Sequence, residues 1–524
     1  MHVVQRIVAV AVVSFCAASP ALANGRFPNA QQLRELDPQT LVVAGTYGML
    51  VTTNGGRDFA YQCEAEIFGK PTGTYTVDPL LEVASDGAIF SGSLHALRIS
   101  RDLSCAFEAE PSLPNNWSFF ELERPEGAES GQIVDVCRRG GGADAPVLAL
   151  ARMLDDAATT TEFRLYQANA RGVFEVVGAP IPVALMDFGL TLDVAPSDPE
   201  RIYVSGTLDN DPVLLASDDG GRSFRSSPIV VGDPDFVLGA YLAAVSPNDP
   251  ERLYLRVARR VQTKGGLYQR DDSLAVSSDG GRSVSEVLRA QANLLGFALS
   301  LDGTVVLAGY GDPRVDETLS SPAVVGIYRG DADALAFEHV VTDIDVSCLR
   351  FTESGLYACA LERDPLGVDP AFLDDFHLGI YRGAGTPTSA ADFTPLLKLK
   401  DVRGPAPWND GRTTACAEEW TSGDPNAPVP VGTCTRLNAC ESGAARSDAL
   451  VCGMATGVGG SGAMDAGKGG PGAPDAGCGC RLVRTDTKNP LVLLVFVAVA
   501  LGRTRRRGVP AGALSAPRRK LRVD

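Results

Sequence analysis

The octamer Ser217–Phe224, SDDGGRSF, returns as SSDGGRSV at Ser277–Val284 and as TTNGGRDF at Thr52–Phe59. Its parts are those of a tight turn between strands. An Asp or Asn side chain accepts hydrogen bonds from backbone N–H groups just ahead of it and closes the turn. Gly supplies the positive φ that such a turn demands. The closing Phe starts the next strand and buries its ring between sheets. Each octamer therefore predicts a hairpin latch. Acidic residues beside glycines also suggest a calcium loop, but the D-x-[DN]-x-[DN]-G spacing with a distal Glu is absent.

Working outward, each octamer is preceded by a turn and a run of β-formers: DPQTLVVAGT (37–46), PSDPERIYVSG (196–206) and PNDPERLYLRV (247–257). The repeat unit reads as turn, strand, latch, strand. Degenerate units fill the gaps. SRDLSCAF ends at Phe107 and keeps Ser100 and Asp102, and QANARGVF ends at Phe174 with Asn169 in the Asp place. Two more units share the lead-in GIYRG, at Gly326 and Gly379, with closing aromatics at Phe337 and Phe393. Closing positions at 59, 107, 174, 224, 284, 337 and 393 give seven units at the spacing of propeller blades. The expectation is an all-β, seven-bladed β-propeller of four-stranded blades over residues 24–405. Six or eight blades would also accommodate the weaker units.

Written S-x-D-x-G-x-[ST]-[FW], the octamer resembles the Asp-box (BNR) pattern of sialidases, sortilin-like receptors and related propellers. Ser217, Asp219, Gly221, Ser223 and Phe224 match it. Ser277, Asp279, Gly281 and Ser283 match with Val284 in the aromatic place, and Thr52, Asn54, Gly56 and Phe59 match with Asp58 replacing the hydroxyl residue. The resemblance implies either a sialidase or a propeller that binds proteins or peptides. Sialidase chemistry needs three arginines clamping a carboxylate, a Tyr–Glu nucleophile pair and an Asp acid/base. The nearest phrase to that family's Arg-Ile-Pro is Arg26-Phe27-Pro28, ahead of the first unit, and no arginine triad can be placed.

Other chemistries find less. No G-x-S-x-G marks a serine hydrolase. DDFH (374–377) reads as a solvated loop before a metal site. GVGGSG (457–462) and GAMDAGKG (462–469) echo nucleotide motifs but follow no strand and open no helix. The expectation is a noncatalytic protein- or glycan-binding module without cofactor or metal; the alternatives are a sialidase-like glycoside hydrolase and a structural envelope protein. The acidic stretches GDPRVDETLSSP (311–322) and ERDPLGVDPAFLDDFH (362–377) suggest a cationic partner.

The ends of the 524-residue chain speak of export. Arg6, the apolar run 7–18 and Ala21-Leu22-Ala23 compose a signal peptide over residues 1–23, cleaved after Ala23. Cys16 lies in the apolar run without a lipobox. Near the other end, Cys478-Gly479-Cys480-Arg481 precedes the apolar run 490–501 and an arginine cluster. That arrangement resembles the myxobacterial C-terminal sorting tag. It implies cutting by a membrane sorting protease and a body held at the outer surface of a Gram-negative cell. A plain transmembrane helix at about 490–502 facing the periplasm or exterior is the other reading, with the basic tail inside. The chain carries −17; the leader contributes +1 and residues 478–524 contribute +9, leaving −27 for residues 24–477. So acidic a body repels phosphate backbones and argues against nucleic acid.

Nine cysteines remain in the body: Cys63, Cys105, Cys137, Cys348, Cys359, Cys416, Cys434, Cys440 and Cys452. Outside the cytoplasm most should pair, and an odd count leaves one over. Residues 406–452 read as a small disulfide-stapled segment that closes the ring or sits on one face. Zinc would want closer thiolate spacing. Residues 453–477 read as a Gly/Ala/Pro-rich linker.

Overall fold

The structure, a computed structural model, describes residues 30–405 with breaks, the longest at 69–79, 116–128, 312–323 and 362–377, together with Cys416. Seven antiparallel sheets follow one another along the chain. Blade one holds β1 (Ala30–Asp37), β2 (Thr40–Gly45), β3 (Gly48–Thr52) and β4 (Ala60–Gln62). Blades two to seven repeat that order over residues 80–109, 131–182, 188–228, 237–289, 293–341 and 345–398. Blade five adds a short strand, Tyr268–Arg270, paired beside its second strand.

The first strand of each blade packs against the first strands of its neighbours, and those of blades one and seven meet, so the ring closes. Burial explains the sequence texture. An innermost strand is covered on both faces and reads as a continuous apolar run. The first strand of blade six, Asn293–Leu299, is buried throughout. The last strand of blade three, Phe174–Pro182, faces solvent at most positions and carries Pro180 and Pro182, which suit an edge. Cores lie between blades: Val42, Met49 and Val51 of blade one pack with Leu81, Ile89 and Phe107 of blade two.

The fold is the all-β, seven-bladed propeller expected, and all seven closing residues stand at or just before the start of a fourth strand. The repeat unit gains a strand. The lead-ins at 37–46, 196–206 and 247–257 form second strands, and a third strand precedes each octamer. GIYRG is itself a third strand in blades six and seven.

Among the described residues, the first and last blades share no sheet. Instead, residues beyond blade seven reach the outer edge of blade one. Tyr61 makes a parallel bridge with Pro405, and Arg403 N–H donates to the Phe59 carbonyl at 3.3 Å. Cys416 is bonded to Cys63, 353 residues earlier. Of the segment expected at 406–452, Cys416 is the described residue: it fastens to the propeller and sits in a core shared by blades one and seven. Cys348 and Cys359 pair across adjacent strands of blade seven, and Cys105 is also in a disulfide. Cys137 is fully buried between blades three and four. Cys434, Cys440, Cys452, the signal and linker segments, Cys478, Gly479, Cys480 and the apolar run at 490–501 lie outside the described residues.

Candidate functional site

Strand direction sorts every connection to one of two ends of the ring. Turns after first and third strands share one end, so all the octamers lie there. In blade four the Ser217 hydroxyl donates to Asp219 Oδ1 (2.8 Å) and accepts from the Gly221 N–H (2.8 Å). Asp219 accepts from the Ser223 N–H (2.9 Å) and hydroxyl (2.7 Å). Ser277, Asp279, Gly281 and Ser283 repeat this in blade five. The Ser223 bonds, followed by that from Ser217, hold the Asp219 carboxyl at about 2, and Ser283 leads the same effect on Asp279. In blade one Asn54 stands for Asp. It accepts from the Thr52 hydroxyl and the Arg57 and Asp58 N–H groups, while its amide donates to Asp58 at 2.7 Å.

Blade two makes the same turn without glycine. Ser100 and Asp102 are bonded at 2.7 Å, and Leu103 and Ser104 take φ of 56° and 73°. Blade three departs: Gly172 falls one place late, and Asn169 Oδ1 accepts from the Val173 N–H. A further Ser-Asp-Thr turn, Ser300-Asp302-Thr304, closes the first hairpin of blade six.

The octamers fasten blade to blade. The first glycine donates its N–H to a lead-in carbonyl: Gly55 to Gln39, Gly220 to Glu200 and Gly280 to Glu251, at 2.8–2.9 Å. The second is pressed on the preceding blade. A Cβ at Gly56, Gly221 or Gly281 would stand 2.6, 2.4 or 2.0 Å from Leu396, Leu165 or Leu214. Lead-in arginines then reach the following blade, Arg201 to Glu251 (3.5 Å) and Arg252 to Asp333 (2.8 Å).

Nearer the axis, buried carboxylates that sequence reading missed join first strands that share no ladder. Asp135 accepts from the Leu192 N–H of the next blade at 2.9 Å, and Asp193 from that of Val245 at 3.1 Å. Each also accepts from the residue after it. Their signal was an acid inside an apolar run, IVDVC and LTLDVA.

At the octamer end, the tips of four first strands enclose a polar pocket of about 140 Å3. Arg34, Glu35 and Asp37 come from blade one and Glu82 from blade two; Arg138 comes from blade three and Arg350 and Glu353 from blade seven. Arg34 and Glu82 are both buried and meet at 3.4 Å. Glu35 accepts from the hydroxyls of Thr352 (2.6 Å) and Ser354 (2.9 Å) across the seam between blades seven and one. Three guanidiniums and four carboxylates thus converge from residues 34 to 353. None was singled out in the sequence; the available signal was a charge at the end of each innermost strand, as in LRELD and CLRFTE.

Among the described residues no group of three or more His, Cys, Asp or Glu is placed to hold a metal, and no helix is long and apolar enough to cross a membrane. The acidic stretches at 312–322 and 362–377, DDFH included, lie outside the described residues.

No family model matches the chain, and no curated protein does. Solved structures do. A GH74 xyloglucanase from Xanthomonas campestris is 12% identical over 74% of this chain and 66% of its own, with a TM-score of 0.28. A Mycobacterium tuberculosis puromycin-hydrolyzing peptidase is 12% identical over 72% of this chain and 54% of its own, at 0.41. The β-propeller domain of Myceliophteria thermophila Cps50 (Swd1) is 10% identical over 64% of this chain and 94% of its own, at 0.36. The chain thus spans about two thirds of the xyloglucanase and about half of the peptidase. What assigns the fold is the strand order itself: seven consecutive four-strand meanders closed into a ring.

Proposed function

We propose that this is an exported, surface-anchored propeller that binds a protein, peptide or glycan and does not turn it over. The observation that carries this reading is the pocket where charged tips of four first strands converge. A concave site lined by preplaced polar groups is the usual form of a ligand site, and rigid first strands hold these groups without ordering cost. Export is supported by three cysteine pairings' worth of chemistry: Cys63–Cys416, Cys348–Cys359 and the disulfide at Cys105 belong in an oxidising compartment. Anchoring rests on the C-terminal motif, and its resemblance to a sorting tag names a sorting protease as partner. Replacing Cys478 and Cys480 together should release or mislocalise the body; unchanged surface retention would favour a plain membrane span.

The test of binding is capture from envelope extract and on a glycan array, with the full chain and with Arg350→Ala. Loss of a captured partner in the variant supports the reading; capture indifferent to the pocket overturns it. A sialidase-like reading draws on one observation, the three arginines Arg34, Arg138 and Arg350 lining one pocket. Against it, Arg34 faces Glu82, and no tyrosine is among the lining residues. Release of a fluorogenic sialic acid by the full chain, abolished by Arg350→Ala, would establish it in place of the binding module.

A further inference from the structure

The pocket's charge pattern narrows its ligand. Resting on the reading of this pocket as a noncatalytic ligand site, but replacing its macromolecular ligand with a small one, we propose that it takes a compact zwitterion, an α-amino acid with its ammonium and carboxylate both engaged. Size comes first. A cavity of about 150 Å3 accepts benzene, so about 140 Å3 admits a group of about six non-hydrogen atoms, the size of alanine.

Sign comes second. A simple anion entering the pocket meets four carboxylates, and a simple cation meets three guanidiniums. Like-charge contacts at close range reject both. A molecule carrying both signs a few ångströms apart lets each end face its complement.

Third, the floor of the pocket is a loosely joined, buried ion pair. Arg34 and Glu82 are 6% and 3% exposed, yet they approach only to 3.4–3.5 Å. Charge-assisted hydrogen bonds between such groups run at about 2.7–2.9 Å. Arg34 Nη1–H donates to the Leu33 carbonyl, and its buried Nε faces Glu82 Oε1 at 3.4 Å without forming a hydrogen bond. Two charges taken out of water and joined at such length recover little of their desolvation cost. A ligand carboxylate would face the partly exposed Arg350 guanidinium at the rim, with the buried Arg34 adding positive potential beneath it. The ammonium then faces Glu353 at the exposed rim and Glu35, which Thr352 and Ser354 hold in place. The apolar lining is Leu36 and Val83, both aliphatic, so no ring offers a stacking face to a sugar.

The experiment is calorimetric titration of the full chain with alanine and glycine, with acetate and methylammonium as the two halves, and with N-acetylglucosamine and sialic acid as sugars. Alanine should bind at least about tenfold more tightly than either half, a difference of about 1.4 kcal/mol. Arg350→Ala and Glu353→Ala, both at the partly exposed rim, should each weaken alanine at least about tenfold with the melting temperature unchanged. Acetate or methylammonium binding as tightly as alanine overturns the zwitterion. A sugar that binds where alanine does not, and is lost in Arg350→Ala, overturns the ligand class while the binding-module reading stands. No heat from any probe, with partner capture unaffected by both variants, overturns both.

Discussion

The seam between blades four and five and the seam between blades seven and one solve the same packing problem with different means. At the first, the chain runs straight on, and noncovalent contacts suffice. Gly281 seats on Leu214, the Tyr203 hydroxyl donates to the Pro250 carbonyl at 2.8 Å, Arg201 meets Glu251, and Asp193 takes the Val245 N–H. At the second, no chain passes directly from the last blade to the first. The octamer contact is kept, Gly56 on Leu396, and Glu35 ties to Thr352 and Ser354. To these are added a bridge at Tyr61–Pro405 and a covalent bond at Cys63–Cys416. Where backbone continuity is missing, a crosslink stands in for it. Each octamer seam is a local device, whereas the crosslink acts on the whole ring.

That contrast can be broken most directly at the crosslink. Cys63→Ser with Cys416→Ser should cost about 2–5 kcal/mol of stability, read as a fall in melting temperature that reductant does not deepen at this bond. The Cys348–Cys359 pair closes only 11 residues, so its removal should cost less on the loop-length argument. An equal or larger loss there would mean that ring closure is not what the long crosslink serves.

The next largest effect belongs to the ordinary seam. Gly281→Ala must hold a side chain at φ 83° and push Leu214 from 2.0 Å, a cost of about 2–4 kcal/mol. Denaturant midpoints would check it, and a neutral result would remove the octamer from the seam. Asp219→Ala frees the Ser223 N–H and hydroxyl in a partly solvated turn and should cost about 1–3 kcal/mol. Retained thermal stability would show that glycine and packing alone close the turn.

The smallest effect is in pH. Asp219 and Asp279 titrate at about 2 in the folded chain, below the roughly 3.9 of an unfolded Asp. Their stabilising bonds are therefore fully present above about pH 4 and are lost as pH falls toward 2. Melting temperature followed across that window should decline, and Asp219→Asn with Asp279→Asn should flatten part of the decline. An unchanged slope would place the acid sensitivity elsewhere.

The sequence disclosed what is local and kept what is distant. Asp, Gly and Phe at fixed offsets within eight residues carry the turn chemistry, so the octamers at 52, 217 and 277 were legible. So were the starts of seven outer strands, since each needs an apolar side chain to enter the core between blades. The turn at Ser100–Phe107 was readable only through Ser and Asp, because Leu103 and Ser104 occupy the left-handed positions that glycine usually marks. The pocket was hidden for a different reason. Arg34, Glu82, Arg138 and Arg350 are brought together by ring closure across more than 300 residues, and a few charges at the tip of each strand leave no spacing to recognise. The Cys63–Cys416 bond was hidden likewise, because cysteine positions along a chain do not encode pairing.

The clasp also fixes where mechanical load enters the molecule. Tension applied to the chain beyond residue 416 is delivered through the crosslink to Cys63, at the end of the outer strand of blade one. The outer strand of blade seven, Phe393–Lys398, is thereby relieved. Without the bond, the same pull would peel that strand away one hydrogen-bonded pair at a time, the weakest way to load a sheet. With it, the ring is towed by a covalent link set in a buried core.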